Sequence, residues 1–249
     1  MEPGTQSVRT AVRVIEEVGR RGPVGVSDLA RDLEVPKSTV QRTLATLADV
    51  GWLRQDALSR WSLTLRCANV GRTIVNERAI RQAARPLLED LRDATGETSR
   101  WFLIDSTDVA LVDTAESIHA VRPVESEFPG PIPMHATAVG KAAMARWPRG
   151  KLSSELGTLR AMTPKTITSH RALRSELRET VRRGWGRVDE ELYLDVGGVA
   201  AVASTAGDRL VGIGVSYPLH RTTPATIRRY GALVVDAAPR LAGAVTLLL

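Results

Sequence analysis

Residues 29–44 are LARDLEVPKSTVQRTL, and this stretch decides how the first part of the chain folds. Leu29 and Leu33 are spaced for one face of a short helix, which Ser27 would begin as a good N-cap. Pro36 suits the first position of a following helix, where its missing N–H is no loss. The stretch therefore predicts two helices joined by a tight turn.

The segments on both sides extend this helix pair. Helical spacing of apolar residues predicts a helix over Ser7–Arg20, and the helix that begins at Pro36 is expected to stop at Gly51. Residues Trp52–Gln55 and Arg60–Thr64 flank a polar tip and predict a β-hairpin. The predicted apolar face of the first helix comprises Val8, Ala11, Val12, Ile15 and Val18. Three helices followed by a hairpin have the outline of a winged helix-turn-helix.

In such a module, the helix after the turn lies in the major groove with its early residues against base edges. Here those residues are short hydrogen-bonding side chains mixed with two cations: Lys37, Ser38, Thr39, Gln41 and Arg42. Arginine and lysine suit guanine edges, glutamine suits adenine, and serine or threonine can serve bases or phosphates. On the hairpin, Arg54 and Arg60 are predicted to reach phosphate or the minor groove.

The distribution of charge supports a nucleic-acid partner. The 249 residues carry a net charge of +6, and all but four of the 34 basic residues are arginine. Half of the excess lies in residues 1–78, and all of that half falls within 37–66, where five basic residues face two acidic ones. Charge alone leaves open a plain three-helix bundle with solvated faces. Its position on the third helix and hairpin favours DNA.

Composition excludes several other classes of protein. No apolar run approaches the roughly 18 residues of a membrane span, and the N-terminus lacks a signal-peptide core. The lone Cys67 excludes an intrachain disulfide framework, and the four histidines show no short metal-binding spacing. No nucleophile motif is present, and the run Asp189-Glu190-Glu191 is interpreted as a solvated turn rather than an acid–base pair. We therefore expect a cytoplasmic protein without enzymatic activity, cofactor or metal.

A connector follows the hairpin. Residues Leu65–Glu89 are rich in alanine, arginine and leucine, and Pro86 interrupts them. They predict a linker helix that ends near Arg85 and a second helix over Pro86–Thr95, closed by Gly96. Cys67, near the start of the linker, is interpreted as a small packing residue.

Beyond the connector, apolar runs predict strands. Ser99–Asp105 and Val109–Thr114 form one predicted hairpin, and Val199–Ser204 with Leu210–Ser216 form a second. Helices are predicted between and after these pairs: Thr137–Trp147, a helix capped by Ser169 with Leu173, Leu177 and Val181 on one face that stops at Gly184, and a final helix from Pro224 past Pro239. Strand pairs mixed with helices predict an α+β sheet domain.

A loop of small residues opens the first of those helices. Free backbone N–H groups at Thr137–Lys141 would favour an anion, with the help of the helix dipole. A phosphate-binding P-loop is excluded, because His135 stands where that motif requires glycine and Ala142 where it requires serine or threonine. Close packing of helix on sheet is the alternative explanation for the small residues.

Four stretches together resemble the IclR family of bacterial transcription regulators. Residues 29–44 resemble the recognition region of that family, and residues 134–142 (MHATAVGKA), 159–168 and 182–192 resemble its later motifs in the right order. Family members usually have glycine where this chain has Glu34. A left-handed conformation there would cost about 1 kcal/mol or more, and a reshaped turn is the alternative.

The resemblance implies a fold and a domain organisation. It implies an N-terminal winged helix-turn-helix over residues 5–67, a linker helix over 68–85, and a GAF-like α/β effector-binding domain over 86–249. Effectors of the family are small molecules, often a carboxylate or an aromatic catabolite. The DNA-binding domains of the family commonly pair, and its effector domains can join dimers into tetramers.

The resemblance also implies which residues contact an effector. Family effectors touch the backbone near Ala138 and Val139 together with side chains of the later sheet, and the matching positions here are Val188, Val196, Gly198, Gly214 and Ser216. Polar groups that several members carry at the positions of Val188, Gly198 and Gly214 are missing, while Ser216 remains. We therefore expect a roomier, more apolar site for a bulkier aromatic or longer acid, with Trp101 or Met134 on its wall.

These observations predict a transcriptional regulator that binds double-stranded operator DNA, whose affinity a small-molecule effector modulates. The effector can shift this equilibrium only by its differential affinity for the arrangements of the protein. The alternative hypothesis is a ligand-binding interaction module whose winged helix contacts another protein.

Overall fold

The computed structural model describes residues 5–71, 77–106, 108–119, 132–148 and 151–248. The described residues form two compact units, one that ends with Gly71 and one that begins with Glu77. Among these residues, no helix is both long enough and apolar enough to cross a membrane.

Three helices form the core of the first unit: α1 (Gln6–Arg21), α2 (Val26–Leu33) and α3 (Lys37–Asp49). Val14, Leu29 and Val40 are completely buried where the three helices meet. The predicted face of α1 was partly wrong, because α1 packs through Thr10, Val14 and Val18. Ala11 and Ile15 pack against the edge of this core, whereas Val8 and Val12 are 60% and 47% exposed.

Two helix starts differ by one position or more from those expected. Gly25, not Ser27, is the N-cap of α2, and Ser27 lies within its first turn. Pro36 is the N-cap of α3 instead of its first helical residue. Neither Gly25 nor Pro36 has a side-chain oxygen that could accept from a free N–H group, so neither helix has a side-chain cap.

The turn between α2 and α3 ends in a left-handed residue. Glu34 has φ 53° and ψ 41°, and the N–H groups of Glu34 and Val35 donate to the carbonyls of Arg31 and Ala30. This is the Schellman pattern, in which glycine normally occupies the left-handed position. The same pattern ends α3, where Gly51 has φ 79° and Trp52 N–H donates to the Leu47 carbonyl. The turn therefore keeps its left-handed geometry around Glu34 and is not reshaped.

Replacing Glu34 with glycine is expected to stabilise the first unit by about 1 kcal/mol, because glycine has no Cβ to penalise the left-handed conformation. Slower amide hydrogen exchange in α2 and α3 of the full-length variant would confirm it. Gly51→Ala is the reciprocal variant and should accelerate exchange. Equal exchange rates in Glu34→Gly and the parent would contradict the proposed strain.

The predicted hairpin is present as β1 (Leu53–Gln55) and β2 (Trp61–Leu63), which pair antiparallel. Val24, between α1 and α2, exchanges two backbone hydrogen bonds with Trp61 and so ties the hairpin to the helices. Trp61 and Leu53 are buried in the same core as α3. The first unit therefore has the winged helix-turn-helix outline that the sequence predicted.

The connector contains α4 (Leu65–Gly71) and α5 (Glu77–Thr95). The expected helix break at Pro86 was wrong, because α5 continues through it. Pro86 is exposed, whereas Ile80, Ala84 and Leu88 on the opposite side of α5 are completely buried. A proline inside a helix costs about 3 kcal/mol, but water can satisfy the carbonyl that it releases on the exposed side. Continuous burial of the other side offsets that cost.

A five-stranded antiparallel sheet is the framework of the second unit. Its strands are β3 (Thr98–Asp105), β4 (Asp108–Ala115), β5 (Gly186–Asp189), β6 (Val196–Ser204) and β7 (Leu210–Pro218), in the order β4-β3-β7-β6-β5. Both predicted hairpins are confirmed, and β3 joins them by pairing with β7. The edge strand β5 was not predicted, because four residues directly after a helix carry little pattern of their own.

Besides α5, four α-helices accompany the sheet in the described residues: α6 (Ala138–Met144), α7 (Lys151–Glu155), α8 (His170–Arg183) and α9 (Pro224–Val245). Ser169 caps α8 as predicted by accepting from the Ala172 N–H, and Gly184 closes that helix with φ 84°. Thr223, directly before Pro224, caps α9 by accepting from the Thr226 N–H. Val181, expected on the buried face of α8, is exposed, and Thr180 is buried in its place.

The sheet has two faces with different coverings. Cβ atoms built on Gly186 and Gly212 would collide with Ala138 and Val139 of α6, so α6 covers the face to which these positions belong. On the other face, the Tyr217 ring packs against Tyr230 of α9 with 5.6 Å between ring centroids. We call these the α6 face and the α9 face. Alternation along β3, β5, β6 and β7 assigns their residues to one of these faces, whereas the register of β4 shifts opposite Trp101 and Phe102.

Candidate DNA-binding surface and effector site

The residues predicted to read DNA lie together on the first turns of α3. Lys37, Ser38, Gln41 and Arg42 are exposed, and Thr39 is half-buried. The side chains of Lys37, Gln41 and Arg42 make no hydrogen bond or ion pair with any described residue, so their donors are available to a partner. On the opposite side of α3, Val40, Leu44 and Leu47 are buried. The helix thus presents a polar, cationic surface on a rigid support.

The two hairpin arginines differ in their surroundings. Arg54, on β1, is exposed and contacts no partner within the described chain. Arg60 is exposed at the end of the tip and pairs with Asp56, with 3.3 Å between Nε and Oδ2. Hydrogen bonds from the backbone N–H groups of Arg60 and Leu58, together with the Arg60 charge, hold the pKa of Asp56 below its ordinary value. Asp56 therefore stays charged and orders the tip on which Arg60 is presented.

Two further arginines brace the ends of the helices and were not predicted. Arg13 of α1 donates to the Leu33 carbonyl at 2.8 Å, and Arg66 donates to the Val50 carbonyl at 2.9 Å. Both bonds satisfy carbonyl groups at the C-terminal end of a helix, where a cation is also favoured by the helix dipole. Arg66 thus contributes to the basic excess of residues 37–66 but has a structural role. No local pattern in the sequence distinguishes it from Arg54.

The later positions assigned to the effector lie side by side on the α6 face. Val188, Gly198 and Ser216 are paired across β5, β6 and β7, and Gly214 and Val196 occupy the same face of their strands. A Cβ built on Gly198 would lie 3.9 Å from the Ala138 Cβ, which places this row next to the start of α6. The sheet therefore brings together five residues separated by almost thirty positions in the chain.

The start of α6 is buried and capped. Thr137 Oγ1 accepts from the Gly140 N–H at 3.3 Å, and the Thr137 carbonyl accepts from the Lys141 N–H at 3.0 Å. The N–H groups of Ala138 and Val139 have no acceptor among the residues that the structure describes. Two buried donors thus remain next to the α6 face, as the loop of small residues predicted. Met134 lies beside them, because a Cβ on Gly140 would be 2.3 Å from its Cα.

Trp101 does not belong to this group, and its assignment to the wall of the site was wrong. It pairs with Ile213 and lies on the α9 face, where its side chain is completely buried. Its neighbour in β3, Arg100, occupies the α6 face instead, because successive strand residues point to opposite sides. The sequence identified the correct strand but not its orientation.

Arg100 is a residue of the α6 face that was not predicted. It is only 6% exposed and pairs with Gly214 in the β3–β7 register. Its guanidinium donates from Nη1 to Ser216 Oγ at 2.7 Å. The signal in the sequence was a charged residue directly before the apolar run Trp101–Ile104. Arginine is seldom fully buried unless it is paired.

A buried ion pair lies behind the site. Lys141 of α6 is completely buried, and its Nζ donates to Glu191 Oε1 and to the Arg187 carbonyl. Burial raises the pKa of the Glu191 carboxyl above its ordinary value, and the Lys141 charge opposes that rise. Thr166 Oγ1 donates to the Glu191 carbonyl oxygen at 2.6 Å. The interpretation of residues 189–191 as a solvated turn was therefore wrong for Glu191.

His135 is buried next to Met134, and its Nε2 lies 2.9 Å from the Arg160 carbonyl. That contact accounts for the imidazole as a structural group. No cluster of histidine, cysteine, aspartate or glutamate within the described ranges could hold a metal ion.

Comparison with known proteins extends the similarity to nearly all of the chain. The chain is 28% identical to the transcriptional repressor IclR of Escherichia coli K12 over 240 residues, which cover 94% of this chain and 87% of the relative. It is 25% identical to the regulator KdgR of the same organism over 242 residues, 94% and 90% of the two chains. A crystal structure of an IclR-type regulator from Silicibacter sp. TM1040 has a TM-score of 0.81 at 25% identity, over 96% of each chain.

Two family models match successive parts of the sequence. The IclR helix-turn-helix domain matches residues 7–57, and the C-terminal domain of bacterial IclR transcriptional regulators matches residues 72–242. These ranges contain the polar surface of α3 and the α6 face, respectively. The chain therefore belongs to the IclR family of transcriptional regulators.

Proposed function

We propose that the early residues of α3 read an operator sequence and that the α6 face holds the effector which controls this binding. As a member of its family, the protein is a DNA-binding transcriptional regulator with a ligand-binding C-terminal domain. The exposed face of α3 carries the proposal for DNA, because Lys37, Gln41 and Arg42 have donors that are not used within the described chain. A winged helix that contacts a protein instead is not favoured.

At residue level, the proposed DNA contacts are Lys37, Ser38, Thr39, Gln41 and Arg42, with Arg54 and Arg60 on phosphate or in the minor groove. The proposed domains are those of the sequence, with residues 5–67 binding DNA, 68–85 connecting and 86–249 binding the effector. The α3 surface supports the first assignment, and the α6 face supports the last.

For the effector, the proposed contacts are the backbone of Ala138 and Val139, Met134 and the row Val188, Val196, Gly198, Gly214 and Ser216. The two buried N–H groups at the start of α6 favour an oxygen acceptor, which an organic acid or an aromatic catabolite provides. Two of the row positions, Gly198 and Gly214, are glycines and therefore add no side chain to this surface. The lack of polar side chains at Val188, Gly198 and Gly214 supports an effector bulkier than an acid of two or three carbons.

We propose a homodimer, with a dimer of dimers as a second assembly. A two-fold pair of winged helices would match a palindromic operator. The exposed Val8 and Val12 on α1 support a further contact, since water does not favour an apolar pair on one side of a helix. A regulator of this kind acts where the DNA is, which supports a cytoplasmic location.

Selection of bound sequences from random duplex DNA tests the function directly. We expect enrichment of a palindromic site, with affinity for it that falls steeply as salt rises, because phosphate contacts release counterions. Failure to enrich any sequence, together with salt-independent binding of another protein, would support the interaction-module alternative.

Replacing Arg42 with alanine is expected to weaken operator binding by about 1–3 kcal/mol, as for a lost base contact. A mobility-shift titration on the selected site measures this. Arg20→Ala, which removes an exposed arginine paired with Glu17 on α1, is the matched control and should bind as tightly as the parent. Unchanged affinity of Arg42→Ala would remove Arg42 from the reading surface.

A further inference from the structure

Leu58 is exposed at the apex of the hairpin formed by β1 and β2. Residues 56–59 form a β-turn, because the Ser59 N–H donates to the Asp56 carbonyl at 3.0 Å, and Ser59 is left-handed with φ 59°. Leu58 occupies the third position of this turn, where it is 72% exposed. Turn positions favour glycine, proline and short polar residues, and nothing in the geometry of this turn requires leucine. The turn therefore does not account for the choice of side chain.

The core of the first unit does not account for it either. Among the described residues, the hairpin contributes Leu53 and Trp61 to that core, and Trp52 and Leu63 pack against it, but Leu58 does neither. An exposed leucine gains from any partner that removes it from water. Replacing Leu58 should for the same reason leave the fold of the unit intact.

Asp56 holds the apex in one conformation. Its Oδ1 accepts from the N–H groups of Leu58 and Arg60 at 2.9 and 2.8 Å, and its own N–H donates to the Arg60 carbonyl at 2.9 Å. The leucine is thus presented on a preorganised support. Little conformational entropy of the loop is lost when such an apex enters a partner.

Two arginines accompany the leucine on one face of the hairpin. Arg54 pairs with Ser62 across the strands, and Arg60 continues this face towards the apex, opposite the face on which Trp61 is buried. In the minor groove of DNA, arginine is attracted by the negative potential. Leucine is one of the apolar residues that wedge between base steps there and kink the duplex. An apolar apex beside two cations fits that environment.

We propose that Leu58 inserts between two base pairs in the minor groove of the operator, so that the protein selects DNA by deformability as well as by base edges. The inference rests on the proposed DNA-binding function of α3 and the hairpin, and it adds a contact that reads no hydrogen-bonding group. Pyrimidine–purine steps are the easiest to unstack, whereas A-tracts are stiff. The operator should therefore contain such a flexible step outside the bases that α3 reads.

Duplexes selected from random DNA by the full-length parent protein are the probes. The enriched sites should share a TA or CA step at a fixed distance from the bases that α3 reads. Each enriched duplex is compared in anisotropy titrations with a stiff copy, in which an A-tract replaces that step. The parent should bind the stiff copy about 10-fold more weakly, as for one unfavourable base step. Energy transfer between the ends of the duplex measures the bend, which should decrease in the stiff copy.

Substitution of Leu58 separates insertion from the order of the hairpin. Leu58→Ala should bind the enriched duplex about 10-fold more weakly, bend it less and no longer distinguish it from the stiff copy. Leu58→Met retains an apolar wedge and should restore most of the affinity and the bend. The slope of log affinity against log salt should stay at the parent value in Leu58→Ala, because no phosphate contact is lost. Arg54→Ala should reduce that slope by about 1.

Leu194→Ala is the matched control. Leu194 is also an exposed leucine, but it lies between β5 and β6 of the second unit. This variant should bind and bend the enriched duplex as the parent does. Melting curves report the folding of every variant, and sedimentation velocity reports its self-association.

The outcomes distinguish this inference from the proposed function. Enriched sites without a common flexible step, or a folded Leu58→Ala variant that binds and bends DNA as the parent does, would overturn the insertion and leave the DNA-binding function in place. A salt slope that falls with the affinity in Leu58→Ala would assign the residue to the order of the hairpin instead. Altered self-association with an unchanged bend would assign it to a contact with a second copy, and both results overturn the insertion. If the parent enriches no sequence, the inference is overturned together with the proposed function.

Discussion

Replacing Glu191 with leucine is expected to lower the free energy of unfolding of the second unit by about 3–5 kcal/mol. The change leaves the Lys141 ammonium completely buried with only the Arg187 carbonyl as acceptor. An uncompensated buried charge costs much more than the carboxylate itself contributes, since desolvation consumes most of the attraction within the pair. Denaturant unfolding of the full chain, followed by circular dichroism, measures the loss.

The double variant Lys141→Met with Glu191→Leu tests this reason. Removing both charges replaces the pair with apolar side chains of similar length, and the double variant should recover most of the lost stability. If it is as unstable as Glu191→Leu alone, the destabilisation comes from packing and not from the unpaired ammonium.

Replacing Gly140 with alanine is expected to destabilise the second unit by about 3 kcal/mol, the upper range for overpacking. In an open helix the same change would stabilise by about 1 kcal/mol, so the expected sign comes entirely from the surroundings. The new Cβ would lie 2.3 Å from both Cα and O of Met134, which are backbone atoms that no rotamer change can move. Effector binding should be lost with the position of Met134.

Gly207→Ala is the matched control for this prediction. Gly207 lies in the turn between β6 and β7, and a Cβ built there meets nothing within 4 Å. Thermal melting of both variants compares them directly. If Gly140→Ala has the same melting temperature as Gly207→Ala and the parent, the stability of α6 does not depend on the close approach to Met134.

Local signals in the sequence predicted most of the element boundaries. Ser169, Thr223 and Gly184 fix the ends of α8 and the start of α9 through bonds to groups within three or four residues, so they can be recognised without knowledge of the fold. Ser27 failed as a cap, because Gly25 already begins the helix. Pro86 failed as a break, because packing of α5 outweighs the local cost.

Features that depend on which way an element faces were harder to predict. Val8 and Val12 have the same helical spacing as the buried residues of α1, and only the packing of the other helices selects Val14 instead. Trp101 was assigned to the site instead of Arg100 for the same reason, because a shift of one residue along a strand moves the side chain to the other face of the sheet. Glu191 pairs with Lys141 fifty positions away, and no local pattern indicates that contact.

The parts of the candidate site that depend on a contiguous stretch of sequence were predicted better than those that depend on contacts between distant residues. The α3 surface follows from one contiguous stretch, and all five of its residues lie on the exposed side of that helix or at its edge. The row on the α6 face came from the resemblance to a family, and the register confirms that its members adjoin one another. Arg100 was missed because its neighbours in space come from the far end of the chain.

The central claim, that a small molecule bound on the α6 face controls operator binding, is tested by one titration. Fluorescence anisotropy of the selected operator, with the full-length protein, is measured with and without each member of a panel of organic acids and aromatic catabolites. The account predicts a reproducible shift of the operator dissociation constant in the parent protein at saturating effector. An operator affinity that stays the same in the parent with every member of the panel at saturating concentration would contradict it.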